Sequence, residues 1–433
     1  MIFEQLKQFR QTIYECLGTG KDATFELMDA VLTSPSITSF VSLSQNPMFR
    51  RKWASIYGAL HQSKMKRSQL RKQLVKQIAV ESQPVIGGDS SLWPRPEAKT
   101  LRDRGFHHNG SQGIGVGHSY STLAWIPDEK GSWALPLRHE RITSFETALT
   151  KASFQLKQVC RQLTVRPLAV FDRNYGNGSF LKQTAEIATD LLIRIASNRC
   201  VYAKPGAYSG RGAPRKHGAK FKLNDLQTHP EPDEILEVDD PKLGQIRVTR
   251  WSQFHFRNCA TKEMDVIRVE IIQPNGRKRK FKPLWLIWTG QIRPPISQLW
   301  RQYLQRFSLE HWYRFAKQRL FWTKPKLNSH QACECWSDLV VLMSWQLWFA
   351  RLECDDCPLP WRSPQQILSP GRVAQAFPAI LASIGTCADP PKTRGKSSGR
   401  LKGYSPSPRS RYPTIKKRVS RRKKSKTTTK VTA

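Results

Sequence analysis

The sequence predicts an α/β protein with several domains. The chain has 433 residues, which is more than one compact core usually absorbs. Its apolar residues change period several times, and between residues 84 and 196 short β-type runs alternate with helical ones. We therefore expect an all-helical N-terminal domain, a mixed-sheet core interrupted by a β-rich insertion, and a disordered basic tail.

Residues 1–80 are predicted to form a helical domain. Apolar residues recur with the helical period from Phe3 to about Val80, and a turn signal at Ser34 to Ser36 separates helices. Basic faces such as KMKRSQLRKQLVKQ indicate that this domain binds DNA, without a clear helix-turn-helix pattern. The candidates for contacts with the DNA backbone are Arg50, Arg51, Lys52, Lys64, Lys66 and Arg67.

Residues 84–196 have the pattern of a mixed sheet with helices. Three apolar runs come first: PVIGGDSSLW, GVGHSYSTLAWI and GSWALPL. They are followed by a helical stretch at 143–163, the strand RPLAVFD, a helical stretch at 179–188 and the run DLLIRIA. The predicted order is strand, strand, strand, helix, strand, helix, strand.

Residues 197–295 favour a β-rich insertion. The β-type segments QIRVTRWSQFHF, DVIRVEII and KPLWLIWTG are separated here by Gly, Pro and Asn. The helical period returns at Ile296 and continues to Leu320, and a second helix is predicted at about 334–352. Residues 296–355 therefore complete the core with two helices.

The chain is expected to end in a C-terminal segment at 356–388 and a tail at 389–433. The tail consists mainly of Lys, Arg, Ser, Thr, Pro and Gly, which cannot bury a core and are typical of disorder. Residues 391–433 hold 16 Lys or Arg and no acidic residue. The rest of the chain is basic as well.

The net charge of +38 indicates a polyanionic partner. The chain has 71 Lys plus Arg against 33 Asp plus Glu, so nucleic acid is expected, with a membrane surface a distant second. The longest apolar run, LVVLMSWQLWFA, is about half as long as a bilayer requires, and no signal peptide is apparent. Nine cysteines, an odd number, fit free thiols in a reducing compartment.

Three acidic residues, Asp89, Asp172 and Glu310, suit metal-dependent cutting of nucleic acid. Carboxylates can hold two divalent ions about 3.5 to 4 Å apart, which activate the attacking oxygen and stabilise the leaving one. Asp89 follows a β-type run and Asp172 ends PLAVFD, so we expect both at strand termini, with Glu310 on a helix across the sheet. The alternative for either aspartate alone is a turn residue.

Glu310 belongs to a stripe on the predicted helix. Tyr303, Arg306 and Lys317 lie seven and four residues before it and seven after it, within roughly 60° of one another at 100° per residue. Arg314, one turn beyond Glu310, joins this face. Arg can bind a phosphate with two nitrogens, and Lys acts as a point charge. The alternative is a solvated basic helix face.

The strand order and the stripe resemble a known group of enzymes. The order resembles the RNase H-like core, and the helix matches Tyr-x2-Arg-x3-Glu-x6-Lys. Over most of residues 1–350 the chain resembles bacterial insertion-sequence transposases of the DDE superfamily. Between Asp172 and Glu310 lie 137 residues, enough for the β-rich insertion that such enzymes carry.

The resemblance implies cut-and-paste transposition of DNA. It implies that Asp89, Asp172 and Glu310 hold Mg²⁺, for which Mn²⁺ can substitute. In that group the signature Tyr, Arg and Lys contact phosphates at the transposon end, roles that fall here on Tyr303, Arg306 and Lys317, with Arg314 beside them. Double-stranded DNA, both transposon ends and target, would be the partner of a homodimer in a synaptic complex, located in the cytoplasm with the nucleoid.

Two further sets of residues carry alternatives. Relatives with the insertion stack an aromatic side chain on a flipped base, for which Trp285, Trp288 and Trp251 are candidates; Trp in such β segments otherwise belongs to the core. The cysteines of C-x-C and C-x2-C have a spacing that could hold zinc, but a helical context would aim the first two thiols apart. They are Cys333, Cys335, Cys354 and Cys357.

Two functions other than transposition stay open at this point. The chain could be a noncatalytic DNA-binding protein derived from a transposase, although all three acids and the stripe are intact. A basic RNA-binding scaffold is the other alternative, and it would have no need of three acidic residues in this order.

Overall fold

Twelve strands form a mixed β-sheet in the part of the chain that the structure describes. The computed structural model describes residues 3–108, 113–127, 132–208, 210–274, 282–291, 293–358, 360–393 and 399–417. In chain order the strands are β1 (Val85–Pro94), β2 (Gly105–His108), β3 (Ile114–Ile126), β4 (Leu135–Ile142), β5 (Leu168–Phe171), β6 (Asp190–Ile195), β7 (Cys200–Ala203), β8 (Lys220–Lys222), β9 (Glu234–Asp240), β10 (Gly244–Phe256), β11 (Cys259–Pro274) and β12 (Leu284–Thr289).

Helices form both ends of the fold and two of the connections within the sheet. They are α1 (Glu4–Cys16), α2 (Lys21–Thr33), α3 (Phe40–Leu43), α4 (Trp53–Gln62), α5 (Arg67–Val75), α6 (Ala148–Cys160), α7 (Gly178–Thr184), α8 (Ile296–Gln305), α9 (Phe307–Gln318), α10 (His330–Ala350) and α11 (Pro370–Ile384). Among the described residues, none of these helices is both long and apolar enough to span a membrane.

The strands of residues 84–196 lie side by side. The neighbours are, in order, β4, β3, β1, β5 and β6, and β2 pairs with the first residues of β3. β1, β5 and β6 are parallel, whereas β3 is antiparallel to β1 and β4. The predicted α/β class is confirmed, and β2 is an additional strand that the pattern did not predict.

The β-rich segment extends this sheet. β12 pairs antiparallel with β6, and β11, β10, β7 and β8 follow outward, with β9 on β10. The backbone groups on the open edge of β6 are thereby satisfied by a strand from residues 197–295. Core and insertion therefore form one continuous sheet.

The N-terminal helices pack against α10 through buried polar contacts. Arg10 on α1 is 1% exposed and donates to Asp29 on α2, with Nη1 and Oδ1 2.8 Å apart. The same Arg10 nitrogen lies 2.5 Å from Oε1 of Gln346 on α10. Removing one partner of such a buried ion pair strongly destabilises a protein, because the other charge is left buried without compensation. The predicted helices are therefore closely packed against the rest of the protein.

Three of the arginines proposed for DNA contacts have protein carboxylates as partners. Arg50 and Arg51 form ion pairs with the buried Glu26, and Arg67 pairs with Asp338. The three lysines of the same set are exposed. Of the proposed set, the lysines thus have the more accessible side chains.

The predicted helix from Ile296 to Leu320 is divided at Arg306. The N–H of Arg306 bonds to the carbonyl of Tyr303, and the N–H of Leu309 bonds to the carbonyl of Arg306. This three-residue spacing is that of a 3₁₀ turn, tighter than the α-helix. Arg306 therefore lies at a junction between α8 and α9, with its side chain 4% exposed.

The structure departs from the predicted disorder in part of the tail. The N–H of Tyr412 bonds to the carbonyl of Lys99, and the N–H of Ile415 bonds to the carbonyl of Arg104. Residues 411–417 thus have ordered backbone contacts, because the loop before β2 offers unpaired carbonyl groups to a segment with little apolar surface. Residues 394–398 and 418–433 lie outside the described part of the chain.

Candidate active site

Asp89 and Asp172 follow the last paired residues of two parallel strands. β1 and β5 pair in parallel up to Gly88 and Phe171, so Asp89 is the next residue of β1 and Asp172 is the first residue after β5. Asp172 follows the end of β5, as predicted. The prediction of a strand terminus was wrong for Asp89, because β3 continues to pair with β1 as far as Pro94.

Gly88 allows the close approach of these two strands. A Cβ atom at this position would lie 2.0 Å from a ring carbon of Phe171. The Phe171 ring is fully buried and its centre lies 4.9 Å from those of Tyr175 and Phe180, so it has little room to move. A larger residue at Gly88 would push the aspartates apart.

The turn after β5 holds the carboxylate of Asp172. Its Oδ1 accepts the backbone N–H of Asn174 at 2.9 Å, and its Oδ2 accepts the side-chain amide of Asn174 at 3.0 Å. Asn177 then caps α7 by accepting the N–H of Phe180 at 3.1 Å. Both carboxylate oxygens of Asp172 keep lone pairs for further partners.

Arg306 links Glu310 to Asp89. Its Nη2 donates to Oε1 of Glu310 at 2.6 Å, and its Nη1 lies 3.6 Å from Oδ2 of Asp89. The Glu310 side chain is 47% exposed, whereas that of Asp89 is 19% exposed. One guanidinium therefore compensates an outer carboxylate, that of Glu310, and an inner one, that of Asp89.

Crowding changes the acidity of the aspartates. Burial, reinforced by the charges of Asp172 and Glu310, raises the pKa of Asp89 to about 7, against the effects of the Ser90 N–H and Arg306. Burial also raises the pKa of Asp172, opposed by its hydrogen bond from the Asn174 backbone and by Arg306. Partly desolvated carboxylates that repel one another are stabilised by a nearby positive charge.

More than half of the chain matches one known protein family. Residues 12–257, more than half of the sequence, match the family described as DDE superfamily endonuclease. The chain belongs to the DDE superfamily endonucleases. The matched region contains Asp89 and Asp172, and Glu310 lies beyond it. No curated protein matches the chain.

The core of this DDE endonuclease is RNase H-like. It consists of the neighbouring strands β4, β3, β1, β5 and β6, with α6 connecting β4 to β5 and α7 connecting β5 to β6. Asp89 lies on its central strand β1, and Asp172 directly follows the parallel neighbour β5. The sheet therefore carries the two aspartates, and α9 carries Glu310.

DDE superfamily endonucleases generally use divalent metal ions, and the acidic residues present here fit such an ion. Asp89, Asp172 and Glu310 offer carboxylate oxygens, the donors that hard cations prefer. Burial, and then repulsion from Asp172, raises the pKa of Asp89, and a bound cation would offset both effects. Among the described residues, no three His, Cys, Asp or Glu side chains surround a common cation position. Arg306 bonds to Glu310 and approaches Asp89 instead.

The remaining residues of the stripe lie at different depths. Tyr303 is 1% exposed, with its ring centre 5.7 Å from the guanidinium carbon of Arg306. Lys317 is half-buried beside the rings of Tyr313 and Trp322, and burial lowers its pKa. Arg314 is exposed. Their contacts with DNA phosphates stay a prediction.

The tryptophans predicted to stack on a base lie within the packing of the insertion. Trp285 and Trp288 on β12 are 3% and 7% exposed. The Trp285 ring stacks on that of Trp251 with their centres 5.9 Å apart, and the Trp251 indole donates to the carbonyl of Pro230. This burial favours the core alternative, because a base could stack only after the rings left their packing.

The four cysteines considered for zinc lie at opposite ends of one helix, two near each end. Cys333 and Cys335 lie near the start of α10, and Cys354 and Cys357 follow its C-terminal end. α10 has 21 residues, and at 1.5 Å per residue its length is about 30 Å. The two pairs therefore cannot bind one ion, and all four are free thiols.

Sequence reasoning missed the role of Tyr313. Its hydroxyl lies 2.7 Å from Oγ1 of Thr122 and 3.1 Å from the carbonyl oxygen of Asp89. Thr122 in turn lies 2.8 Å from Nδ1 of the buried His139. Tyr313 follows Glu310 by three residues, so helix spacing was a signal, but its partners come from strands distant in sequence. These contacts tie α9 to β1 and β3.

Proposed function

We propose that this endonuclease is a DNA transposase that cuts DNA at transposon ends and joins the freed 3′ ends to target DNA, with Mg²⁺ or Mn²⁺ as cofactor. The observation that carries the proposal is the placement of Asp89 and Asp172 side by side, with Glu310 joined to Asp89 through Arg306. Three carboxylates, one on a central strand, one directly after the neighbouring strand and one on a crossing helix, suit metal-dependent phosphoryl transfer.

The carboxylates define where the cofactor binds. Asp89, Asp172 and Glu310 would hold the metal ions, which when bound supply an activated water and stabilise the charge that develops on the phosphate. Asp172 is already oriented by both contacts from Asn174. Glu310 is the outermost acid, so it can exchange Arg306 for another cation without unfolding α9.

The cationic residues supply the DNA contacts. Arg306 is buried beside the carboxylates, and a phosphate that enters the site would meet its guanidinium. Lys317 and the exposed Arg314 lie further along α9. Tyr303 adds a phenol on the α8 side of the junction. The net charge of +38 favours association with duplex DNA over a longer range.

The proposal extends to the assembly and its location. Transposition requires two transposon ends in one complex, so we expect a homodimer that forms on DNA. Such a complex would act on the nucleoid in the cytoplasm. Trp285 and Trp288 are the proposed stacking residues for a flipped base, a role that requires them to move out of β12's packing.

The test is metal-dependent cleavage of a plasmid that carries the gene with its own flanking DNA. The parent protein should cut at the element's two boundaries in Mg²⁺ or Mn²⁺, and Glu310→Gln should cut at least about a hundredfold more slowly. Glu263→Gln is the matched control, because the Glu263 side chain is 48% exposed and pairs with a lysine far along the sheet.

Two outcomes would contradict the proposal. If the parent binds the DNA tightly and cuts it in neither metal, the protein is a noncatalytic DNA-binding protein derived from a transposase. If Glu310→Gln cuts as fast as Glu263→Gln, the carboxylates are not the catalytic groups. Joining of the released ends to a second plasmid separates a transposase from a simple endonuclease.

A further inference from the structure

Buried donors without a partner surround the carboxylates. Tyr175 and Tyr303 are each 1% exposed, and neither hydroxyl has a hydrogen-bond partner among the described residues. The same holds for Nε of Arg306, whose guanidinium lies near the Tyr303 hydroxyl and opposes the rise that burial causes in the pKa of that hydroxyl, without reaching hydrogen-bond geometry. A buried donor without an acceptor costs about 1 to 3 kcal/mol, so such groups in a native site need an explanation. Three of them in one place indicate that a ligand supplies the acceptors.

Tyr175 is held rigidly in this position. Its ring packs between Phe171 and Phe180, with ring centres 4.9 and 5.2 Å away, and its backbone N–H bonds to the carbonyl of Asp172 at 3.1 Å. Because the ring is clamped and the backbone is part of the turn after β5, the phenol cannot swing to another acceptor.

The phenol lies in the field of the two aspartates. Burial and then the charges of Asp89 and Asp172 raise the pKa of Tyr175, while the nearby Ser90 side chain lowers it without reaching hydrogen-bond geometry in the described structure. The hydroxyl therefore stays protonated and can act only as a neutral donor or acceptor. It is close to the carboxylates without bonding to them.

We propose that the Tyr175 hydroxyl donates a hydrogen bond to an oxygen of the DNA phosphate that is cut. This inference rests on the proposed function, since it needs a phosphodiester at Asp89, Asp172 and Glu310. A phenol that served only to hold an aspartate would bond to it here. A phosphate brings several acceptor oxygens, which suits a site with three unsatisfied donors.

The chain contains a matched control for this phenol. Tyr120 is also fully buried, and its hydroxyl is also without a partner among the described residues. Its ring stacks on His139, with centres 5.0 Å apart, and meets Trp322 edge-on. The charged side chains that affect the pKa of its hydroxyl, after burial, include Glu334 and Arg141 and not the two aspartates. Removing either hydroxyl therefore makes the same chemical change, but only one of them faces the carboxylate site.

The experiment measures DNA binding without divalent metal. First, the parent's cleavage position is mapped on the plasmid described above. Duplexes that span this position, with either a phosphate or an uncharged methylphosphonate at the cut, are then titrated in EDTA with the parent, Tyr175→Phe and Tyr120→Phe. We expect Tyr175→Phe to weaken binding of the phosphate duplex about tenfold, and Tyr120→Phe to leave it unchanged.

The methylphosphonate duplex shows whether the loss belongs to the cut phosphate. The parent should bind it more weakly than the phosphate duplex, and Tyr175→Phe should add little further loss, because the acceptor has already been altered. If Tyr175→Phe loses the same affinity for both duplexes, or loses affinity for neither, the inference is overturned. Thermal unfolding should give Tyr175→Phe a melting temperature at or above the parent's, since an unsatisfied hydroxyl is removed.

The two proposals can fail separately. If the parent cuts at the boundaries and Tyr175→Phe binds both duplexes as the parent does, only the role of Tyr175 is wrong. If the parent cuts no DNA in Mg²⁺ or Mn²⁺, the proposed function is wrong, and the role of Tyr175, which depends on it, is wrong as well.

Discussion

Arg306 and Glu310 form an ion pair across the junction of two helices, with Nη2 and Oε1 2.6 Å apart. Arg306 lies in the 3₁₀ turn that ends α8, and Glu310 lies in the first turn of α9. The tight turn keeps the arginine side chain buried while the glutamate stays half-exposed. A regular helix would carry both residues on one outer face, so the junction gives the site an inner cation and an outer acid.

Asp89→Asn should stabilise the folded protein at neutral pH. The folded pKa of Asp89, about 7, lies above its ordinary value of 3.8, so the charged form costs stability, and this cost grows as the pH rises from about 4 to 7. At pH 8 we expect a gain of about 1 to 3 kcal/mol in the free energy of unfolding, and almost none at pH 4. Urea unfolding at the two pH values measures it.

The control for that prediction is Asp190→Asn on β6, which is separated from β1 by β5. Asp190 is buried but accepts hydrogen bonds from Arg166 and Gln83, so neutralising it should destabilise the protein at pH 8. Equal effects of the two substitutions would show that Asp89 carries no particular electrostatic strain.

Binding of Mn²⁺ should weaken as the pH falls below about 7. A carboxylate must be deprotonated to bind a cation, and the raised pKa of Asp89 leaves it largely protonated at pH 6. Calorimetric titration of the parent should give about tenfold weaker binding at pH 6 than at pH 8. The same affinity at both pH values would mean that Asp89 is not a ligand.

Arg306→Met should destabilise the protein by about 2 to 4 kcal/mol, because it leaves the largely buried Asp89, and the half-exposed Glu310, without their cation. Combined with Asp89→Asn, the loss should be smaller by at least about 1 kcal/mol, since one of the unpaired charges is then absent. Arg314→Met, at an exposed position of α9, is the control and should have little effect. Urea unfolding of the parent, both single variants and the double variant measures these losses of stability. If the losses of the two single variants simply add up in the double variant, the predicted coupling between Arg306 and Asp89 is wrong.

Tyr313→Phe should slow cleavage about tenfold with unchanged affinity for DNA. The substitution removes the hydroxyl that contacts Thr122 and the carbonyl of Asp89, so α9 and β1 lose their shared anchor. Single-turnover kinetics measures the rate of cleavage, and fluorescence anisotropy measures the affinity for DNA. Tyr57→Phe on α4 is the control. A loss of DNA affinity that accounts for the slower cleavage would argue against a positioning role.

The order of the core strands was predictable because it follows from local patterns. Short apolar runs separated by turn residues mark β1, β3, β4, β5 and β6, and the run PLAVFD places Asp172 directly after a strand. The short β2 has only four residues, too few for a period to be recognised. Its pairing depends on β3, which completes its hydrogen bonds.

The candidate site was predictable only in part. Asp89, Asp172 and Glu310 were found from residue type and context, but the continuation of β1 past Asp89 depends on β3. For Trp285 and Trp288 the sequence left two alternatives, base stacking or the core, and their burial follows from β11 and β6, which flank β12 in the complete sheet.

The sequence by itself determined the class of fold, the basic character of the surface and the identity of the acidic residues, since periodicity, charge and residue type are properties of the chain alone. Only the tertiary structure decided which groups meet. Contacts such as those of Tyr313 with Asp89 and Thr122 join residues about 200 positions apart. Burial then set their chemistry: the same carboxyl group has a pKa near 4 in water and about 7 at Asp89, because desolvation and neighbouring charge arise only when the strands come together.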